Sequence, residues 1–165
     1  MPTVRRLRPD EWRAYRDLRL RALGDSPDAF GSVLDVDRQR TDAEWAERLA
    51  SAADPRWNLP LAAEEGDALV GLAWGRIHPA EPETAHLFQM WVVPESRGLG
   101  VGAMLLDAVV AWAREVKARR VVLSVTCGDT AARRLYERAG FTPSGDPEPL
   151  RDGSPLLAQP MRLVL

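Results

Sequence analysis

The sequence predicts a mixed α/β fold, in which one sheet of parallel and antiparallel strands carries helices on both faces. Two observations predict it. Apolar runs flank Glu65-Gly66-Asp67, a turn signal that indicates an antiparallel hairpin. Over residues 84–126, a strand is followed by a glycine-rich loop, an apolar helix and a second strand. Strands joined through a helix are typically parallel, so the sheet should contain both kinds of pairing.

The first third of the chain is predicted to contribute one edge strand and two helices. Its elements are, in order, a strand at 3–8, a helix at 10–24, a loop at 26–31 and a helix that begins after Thr41. Thr41 with Glu44 three residues later has the pattern of a capping box. Trp45, Leu49 and Ala52 supply the apolar stripe of that second helix.

The remaining two thirds are predicted to contain most of the sheet. The expected elements are strands at 59–63, 68–77 and 84–93, a helix at 100–116, a strand at 121–126, a helix at 129–139, and closing strands at 141–143 and 156–165. A loop rich in Pro, Gly and Asp should occupy 144–155. The helix at 100–116 is apolar around most of its circumference, which predicts deep burial.

Composition restricts the class of protein. The chain has 165 residues, 45% of them hydrophobic and 28% charged, which predicts one globular domain over 1–165. A net charge of −2 argues against nucleic-acid binding. No apolar run approaches the ~20 residues of a membrane span, and the polar N-terminus lacks a secretory pattern. These features predict a cytoplasmic protein without a membrane partner.

Neither a disulfide nor a metal site is expected. Cys127 is the single cysteine, so no internal disulfide can form. His78 and His86 are the two histidines, and their spacing matches no metal motif. We interpret Cys127 as a small buried hydrophobic residue, the commoner state of a lone cysteine.

The stretch with the clearest chemical meaning follows the predicted strand at 84–93. Arg97 precedes Gly98, Gly100 and Gly102, and the apolar helix begins at once. Glycine lets backbone N–H groups approach a ligand closely, and a helix N-terminus adds unpaired donors and partial positive charge. The stretch therefore predicts a seat for a phosphate or pyrophosphate.

Two other classes of phosphate-binding protein agree less well with the chain. A nucleotide triphosphatase loop requires Gly-Lys-Ser/Thr, but Ala103 and Met104 follow Gly102. The pattern Gly98-x-Gly100-x-x-Ala103 does fit a dinucleotide-binding loop. About sixty residues remain after it, too few for the strands of that fold. A dinucleotide-binding module stays open as the weaker alternative.

Two motifs in order resemble the GCN5-related N-acetyltransferase (GNAT) superfamily. Arg97-x-x-Gly100-x-Gly102 is similar to its Arg/Gln-x-x-Gly-x-Gly/Ala signature, and Met90-Trp91-Val92 with Pro94 to its fourth strand. Residues 129–141 resemble a second signature, with Asp129 where the family has Asn. The stretch at 20–31 is similar to the opening of small bacterial members. The resemblance implies a sheet of six to seven strands, about four helices, and two parallel strands that separate to hold acetyl-CoA.

The resemblance also implies where acetyl-CoA binds as cosubstrate, with no metal. The backbone of Met90, Trp91 and Val92 would pair with the pantetheine arm. The pyrophosphate would bind the loop that carries Arg97, whose expected role is to shape the loop or add charge. The expected loop residues are Gly98, Leu99, Gly100, Val101, Gly102 and Ala103. Asp129 is expected first as a helix cap, because ionised carboxylate accepts but does not donate hydrogen bonds.

The implied reaction is acetyl transfer to an amine, and it assigns two catalytic candidates. Tyr136 matches the family tyrosine beside the CoA sulfur and would protonate the departing thiolate; the plainer interpretation is a core tyrosine. His86 lies six residues before Val92, where several members carry a glutamate base. A histidine titrates near neutral pH, but a polar residue without catalytic duty is an equal alternative. Glu64, Glu83 and solvent are weaker candidates for the base.

The acceptor is not identified by the sequence. Trp45, Trp57 and Trp74 could line its pocket, although aromatic residues at such spacings are more often core. We expect a primary amine of a small molecule or peptide, and members of the family are often homodimers. The alternative function is an acyl-CoA-binding sensor or scaffold without catalysis, which the Asp129 departure and the unassigned base motivate.

Overall fold

Eight strands form one mixed sheet in the computed structural model, which describes all residues from Met1 to Leu165. The strands are β1 (Thr3–Arg6), β2 (Asn58–Glu65), β3 (Ala68–Ile77), β4 (Thr84–Val92), β5 (Arg120–Thr126), β6 (Thr142–Pro143), β7 (Glu148–Pro149) and β8 (Leu157–Val164). Their order is β1-β2-β3-β4-β5-β8-β6, and β7 pairs with β8. All pairs are antiparallel except β4 and β5, which are parallel. The predicted mixed sheet is confirmed.

Five α-helices accompany the sheet. They are α1 (Trp12–Asp25), α2 (Leu34–Asp37), α3 (Asp42–Ala50), α4 (Val101–Glu115) and α5 (Thr130–Arg138). Two predicted caps are confirmed. Thr41 accepts a hydrogen bond from the Glu44 backbone N–H at 3.2 Å at the start of α3, and Asp129 accepts one from the Ala132 backbone N–H at 3.2 Å at the start of α5. None of the helices is long and apolar enough to cross a membrane.

Helices cover both faces of the sheet. Leu105, Leu106 and Val109 of α4 are fully buried in the larger core cluster. On the other face, Tyr15 of α1 and Trp45 of α3 pack with Trp74 of β3 in a second cluster. The deep burial predicted for α4 is confirmed, because its side chains meet the centre of the sheet.

One glycine allows α4 to lie close to β3. A Cβ at Gly75 would stand 2.8 Å from the Trp112 ring, so a side chain there would push the helix away. Trp112 also donates from Nε1 to the Pro55 carbonyl oxygen at 2.6 Å. The close packing of α4 therefore depends on a residue without a side chain.

The parallel pair is joined only at its beginning. Three residue pairs connect β4 to β5, from Thr84↔Arg120 to His86↔Val122. Beyond His86, β4 pairs only with β3, and β5 only with β8. A gap therefore opens between the two strands toward their carboxyl ends.

A bulge in β4 adjoins this gap. Leu72 pairs with Trp91 and Trp74 pairs with Phe88, so the register shifts, and Gln89 and Met90 have no ladder partner in β3. Gln89 has a φ of 56°, in the left-handed region that non-glycine residues rarely adopt. Extra residues of this kind bend a strand and free backbone groups from the ladder.

Four details differ from the prediction. Helix α1 continues past Gly24 to Asp25, and the single-turn helix α2 was not predicted. The predicted loop at 144–155 contains β7, because two of its residues pair with the start of β8. Cys127 is exposed, not buried, because it lies after the last residue of β5, in the turn before α5.

Candidate active site

A cleft of about 1250 Å³ lies at the gap between β4 and β5. Its lining includes the predicted site residues His86, Met90 and Tyr136. Side chains of α1 and α3 close it on one side, and residues of β7 and β8 on the other. The separation of the parallel strands thus produces the cavity that the sequence motifs lead one to expect.

The glycine turn stands beyond the cleft, at the N-terminus of α4. Gly98 and Gly100 have φ values of 78° and 84°, a left-handed conformation that glycine adopts at little cost. No heavy atom lies within 4 Å of a Cβ placed at either residue, so the turn is open. Gly100 supplies no side-chain cap, and the first-turn N–H groups of α4 lack helical acceptors.

Gly102 serves a different purpose in the same turn. A Cβ placed there would stand 3.3 Å from Cδ2 of Leu135, on helix α5. Its lack of a side chain lets α4 and α5 approach each other beside the turn. The third glycine of the motif therefore has a packing explanation.

Arg97 ties the turn to the rest of the chain. Its Nε donates to the Val92 carbonyl oxygen at 3.0 Å, and its Nη2 donates to Oδ2 of Asp25 at 2.9 Å. Hydrogen bonds from Ser26 and then Arg97 lower the pKa of Asp25. With both ends of its guanidinium engaged, Arg97 is placed to shape the turn, the first of the two roles expected for it.

Tyr136 combines burial with access to the cleft. Its side chain is 7% exposed and packs edge to face on Phe141, with ring centroids 6.0 Å apart. Its hydroxyl is not held by another side chain. Burial raises the pKa of Tyr136 above its usual value, and the charge of Asp129 raises it further. The phenol therefore stays protonated at neutral pH.

His86 is the polar residue of β4 nearest the point where the strands separate. It pairs in register with Val122 of β5 and with Arg76 of β3, and its side chain is exposed at the cleft. The two carboxylates considered as alternative bases are held elsewhere. Glu64 accepts from Arg5 at 2.8 Å, and Glu83 forms ion pairs with Arg119 and Arg120.

The other predicted residues divide between the core and the site. Trp91 is buried, and its Nε1 donates to Oγ of Ser26 at 3.2 Å. Trp74 lines the cleft, whereas Trp45 belongs to the core. Asp129 is occupied as the cap of α5, and nothing else in the chain uses its second oxygen.

Three residues that line the cleft were not predicted from the sequence: Tyr15 and Arg19 of α1, and Phe30 of the loop that follows. The apolar stripe of α1 contains Tyr15, but the stripe gives no indication that its hydroxyl reaches Gln89 of β4. Arg19 is an arginine in an arginine-rich helix, so its burial has no sequence signal. Both placements follow from the contact between α1 and the sheet.

Comparison with known proteins agrees with this geometry. The family model described as "Acetyltransferase (GNAT) family" matches residues 8–141. An aminoglycoside N(6')-acetyltransferase type 1 of Stenotrophomonas maltophilia is 32% identical, over 85% of this chain and 86% of its own. A mycothiol acetyltransferase of Salinispora arenicola is 33% identical, over 84% of this chain and 44% of its own. The chain spans less than half the length of the mycothiol acetyltransferases it matches.

Solved structures share the fold. A GNAT-family acetyltransferase of Streptococcus pneumoniae superposes with a TM-score of 0.87, at 19% identity, over 100% of this chain and 99% of its own. The protein yncA of Salmonella typhimurium, solved with its cofactor acetyl-CoA, gives a TM-score of 0.81 at 23% identity, over 100% and 94%. The predicted fold class is confirmed.

Proposed function

Because the chain belongs to the acetyltransferase (GNAT) family, we propose that it transfers the acetyl group of acetyl-CoA to a primary amine of a small molecule or peptide. The observation that carries the proposal is the separation of β4 from β5 after His86, with the open glycine turn between β4 and α4. Residues 1–165 act as one N-acetyltransferase domain, since all eight strands share one sheet.

The free backbone near the bulge fits the pantetheine arm of acetyl-CoA. Met90 lacks a ladder partner in β3, and β5 no longer pairs with β4 at this level. An extended ligand can therefore pair with Met90, Trp91 and Val92 as an added strand would. The pyrophosphate binds the N–H groups from Gly98 to Ala103, and the space around Gly98 and Gly100 is open to it.

The reaction requires a neutral amine. The amine nitrogen attacks the thioester carbonyl carbon, the C–S bond breaks, and the amine proton goes to His86 directly or through water. A backbone N–H near Val92 stabilises the negative charge that develops on the carbonyl oxygen. Holding both reactants in one cleft supplies the proximity.

The departing thiolate requires a proton, and Tyr136 supplies it. The phenol is protonated at neutral pH, since its usual pKa is ~10 and burial raises that pKa. Its hydroxyl is free of other side chains, so it can point at the sulfur. We assign Tyr136 as the general acid on this basis.

Acetyl-CoA binding and acceptor turnover test the proposal separately. Calorimetry with CoA measures binding, and release of the free thiol with a panel of amines measures transfer. We expect both CoA binding and thiol release. Tight CoA binding without turnover of any amine would favour an acyl-CoA sensor, and NAD binding without CoA binding would favour a dinucleotide-binding module.

A further inference from the structure

The cleft contains a buried arginine whose hydrogen-bonding groups are not satisfied. Arg19 of α1 is 3% exposed and lines the cleft. Its Nε and Nη1 have no hydrogen-bond partner. One face of its guanidinium lies on the Phe30 ring, 4.6 Å from the centroid. Buried charged groups are normally paired, and an unpaired one is costly to the fold.

The chain itself does not supply the missing partner. Asp37 is the carboxylate whose charge acts on Arg19, but its Oδ1 forms an ion pair with Arg40 at 2.9 Å, and its buried Oδ2 has no hydrogen-bond partner and so does not bond to Arg19. Burial lowers the pKa of Arg19, yet a guanidinium remains a cation in proteins. The guanidinium charge therefore stays in place, with Asp37 near it but no carboxylate hydrogen-bonded to its Nε or Nη1.

The surroundings of Arg19 are also cationic. Arg48 of α3 and Arg76 of β3 line the same cleft, and neither forms an ion pair with a carboxylate of the chain. Glu148 is the one acidic residue of the lining. The cleft thus has the charge of a site for an anion.

Arg19 is placed on the acceptor side of the transfer site. Tyr15 lies one helical turn earlier in α1, and its hydroxyl donates to Oε1 of Gln89 at 2.6 Å. Gln89 directly precedes Met90, the first of the three residues proposed to pair with the pantetheine arm. A group bound to Arg19 therefore belongs to the acceptor that shares the cleft with acetyl-CoA.

From these contacts, and on the premise that the chain is the acetyltransferase proposed above, we propose that the acceptor is an amino acid. Arg19 binds its α-carboxylate by charge-assisted hydrogen bonds from Nε and Nη1, and its amino group faces the acetyl donor. The cationic lining also disfavours the ammonium form of the acceptor, which helps to produce the neutral amine that attacks.

The same charges indicate that the acceptor of this chain differs from that of the similar aminoglycoside N-acetyltransferase. Aminoglycosides carry several ammonium groups, and a cleft with three unpaired arginines and one carboxylate repels them. Similarity over most of the two chains therefore reflects a shared acetyl donor more than a shared acceptor.

Matched acceptors test the proposal with the chain of 165 residues. Thiol release from acetyl-CoA is measured with L-phenylalanine, L-methionine and L-glutamate, each beside its amide and its decarboxylated amine. A 1-aminoalkylphosphonate tests whether another anion replaces the carboxylate. We expect the amino acid to exceed its amide in kcat/KM by about 10- to 100-fold, the range of a charge-assisted hydrogen bond.

Variants test whether Arg19 causes the preference for the amino acid over its amide. Arg19→Gln should raise KM for the amino acid and bring its kcat/KM within about threefold of the amide, while Arg19→Lys retains part of the preference. Arg13→Gln, on the exposed face of α1, and Asp37→Asn should leave the ratio unchanged. A thermal melt confirms folding of each variant, and Arg19→Gln should melt no lower than the wild type.

The possible failures are distinguishable. Preference of the wild type for the amide or the decarboxylated amine overturns the inference alone, and so does an unchanged ratio in folded Arg19→Gln. A phosphonate preferred over every carboxylate also overturns it in favour of another anion. Absence of turnover with any acceptor, while CoA binds, overturns the proposed enzyme together with the inference.

Discussion

The hydroxyl of Tyr15 donates a hydrogen bond to Oε1 of Gln89 at 2.6 Å and so joins helix α1 to the bulge of β4. Tyr15 is buried between Trp45 and Trp74, at ring distances of 5.8 and 5.6 Å. Gln89 holds a left-handed backbone conformation that costs about 1–2 kcal/mol. The bond therefore connects a wall of the cleft to the strand that we propose receives acetyl-CoA.

Replacing Tyr15 by Phe should weaken both stability and transfer. The loss of one hydrogen bond lowers the free energy of unfolding by about 1 kcal/mol. The bulge then orients Met90 less well, and kcat/KM falls about 10-fold. Denaturant unfolding and thiol release measure the two effects. Trp12→Phe, on the same helix but outside the cleft, is the control, and full activity of Tyr15→Phe would contradict a positioning role.

Gly100→Val should weaken CoA binding because the turn must keep its left-handed backbone open to the pyrophosphate. The predicted loss of affinity is about 10-fold or more, equivalent to ~1.4 kcal/mol or more. Gly66→Val is the matched control, since Gly66 also has a positive φ of 61° with open space around it, in the β2–β3 hairpin. Both variants lose similar stability, so equal CoA affinity in calorimetry would exclude a special role for the turn.

Tyr136→Phe separates proton transfer from binding. The hydroxyl is removed while the ring keeps its contact with Phe141. We predict a fall in kcat of about 100-fold or more, with CoA affinity within about twofold of the wild type. Steady-state kinetics and calorimetry on the same preparation provide the comparison. A normal kcat would leave Tyr136 as a core residue.

The pH dependence of kcat is a second test of the role of Tyr136. Its pKa is raised above the usual ~10 by burial and by Asp129. A raised pKa keeps the protonated form at higher pH, so kcat should not decline through ionisation of this phenol between pH of about 8 and 10. A decline in the wild type that moves to lower pH in Asp129→Asn would show that the phenol ionises earlier than its burial implies.

Acid should weaken the ion pairs of Arg5. This residue donates to both oxygens of Glu11, at 2.8 and 2.9 Å, and to Glu64. The hydrogen bond from Arg5 lowers the pKa of Glu11 from 4.5 to about 2. A lowered folded-state pKa means that this stabilisation is complete above pH 4.5 and is lost as the pH falls from there toward about 2.

Glu11→Gln tests that assignment through stability. At neutral pH the variant should be less stable by about 1–2 kcal/mol. The difference from the wild type should shrink as the pH falls below the ordinary glutamate value. Glu47→Gln, an exposed position without an ion pair, should show no such dependence. A pH-independent difference for Glu11→Gln would indicate lost packing instead.

Local signals in the sequence were sufficient for much of the fold and for the glycine turn before α4. The caps Thr41 and Asp129 were predictable because each acts on a backbone N–H within three residues. The glycine turn was predictable because positive φ at Gly98 and Gly100 is a local demand. The parallel arrangement of β4 and β5 followed from the helix between them.

Features that depend on contacts between distant segments had no such signal. The bulge at Gln89 is held by Tyr15, 74 residues earlier in the chain. Arg19 is buried with its guanidinium on the ring of Phe30, a contact that its sequence neighbours do not indicate. Strand β7 exists only because β8 offers it a partner. The part of the cleft next to α1 is built from contacts of this kind. The sequence alone therefore does not identify the acceptor.

A crystal structure of the chain with CoA would locate the bound cofactor. We predict pyrophosphate oxygens within hydrogen-bond distance of the backbone nitrogens between Gly98 and Ala103, and the pantetheine arm beside Met90. We also predict the CoA sulfur next to the Tyr136 hydroxyl. A complex in which CoA occupies another surface, while the glycine turn and the gap between β4 and β5 remain free, would contradict the proposed site.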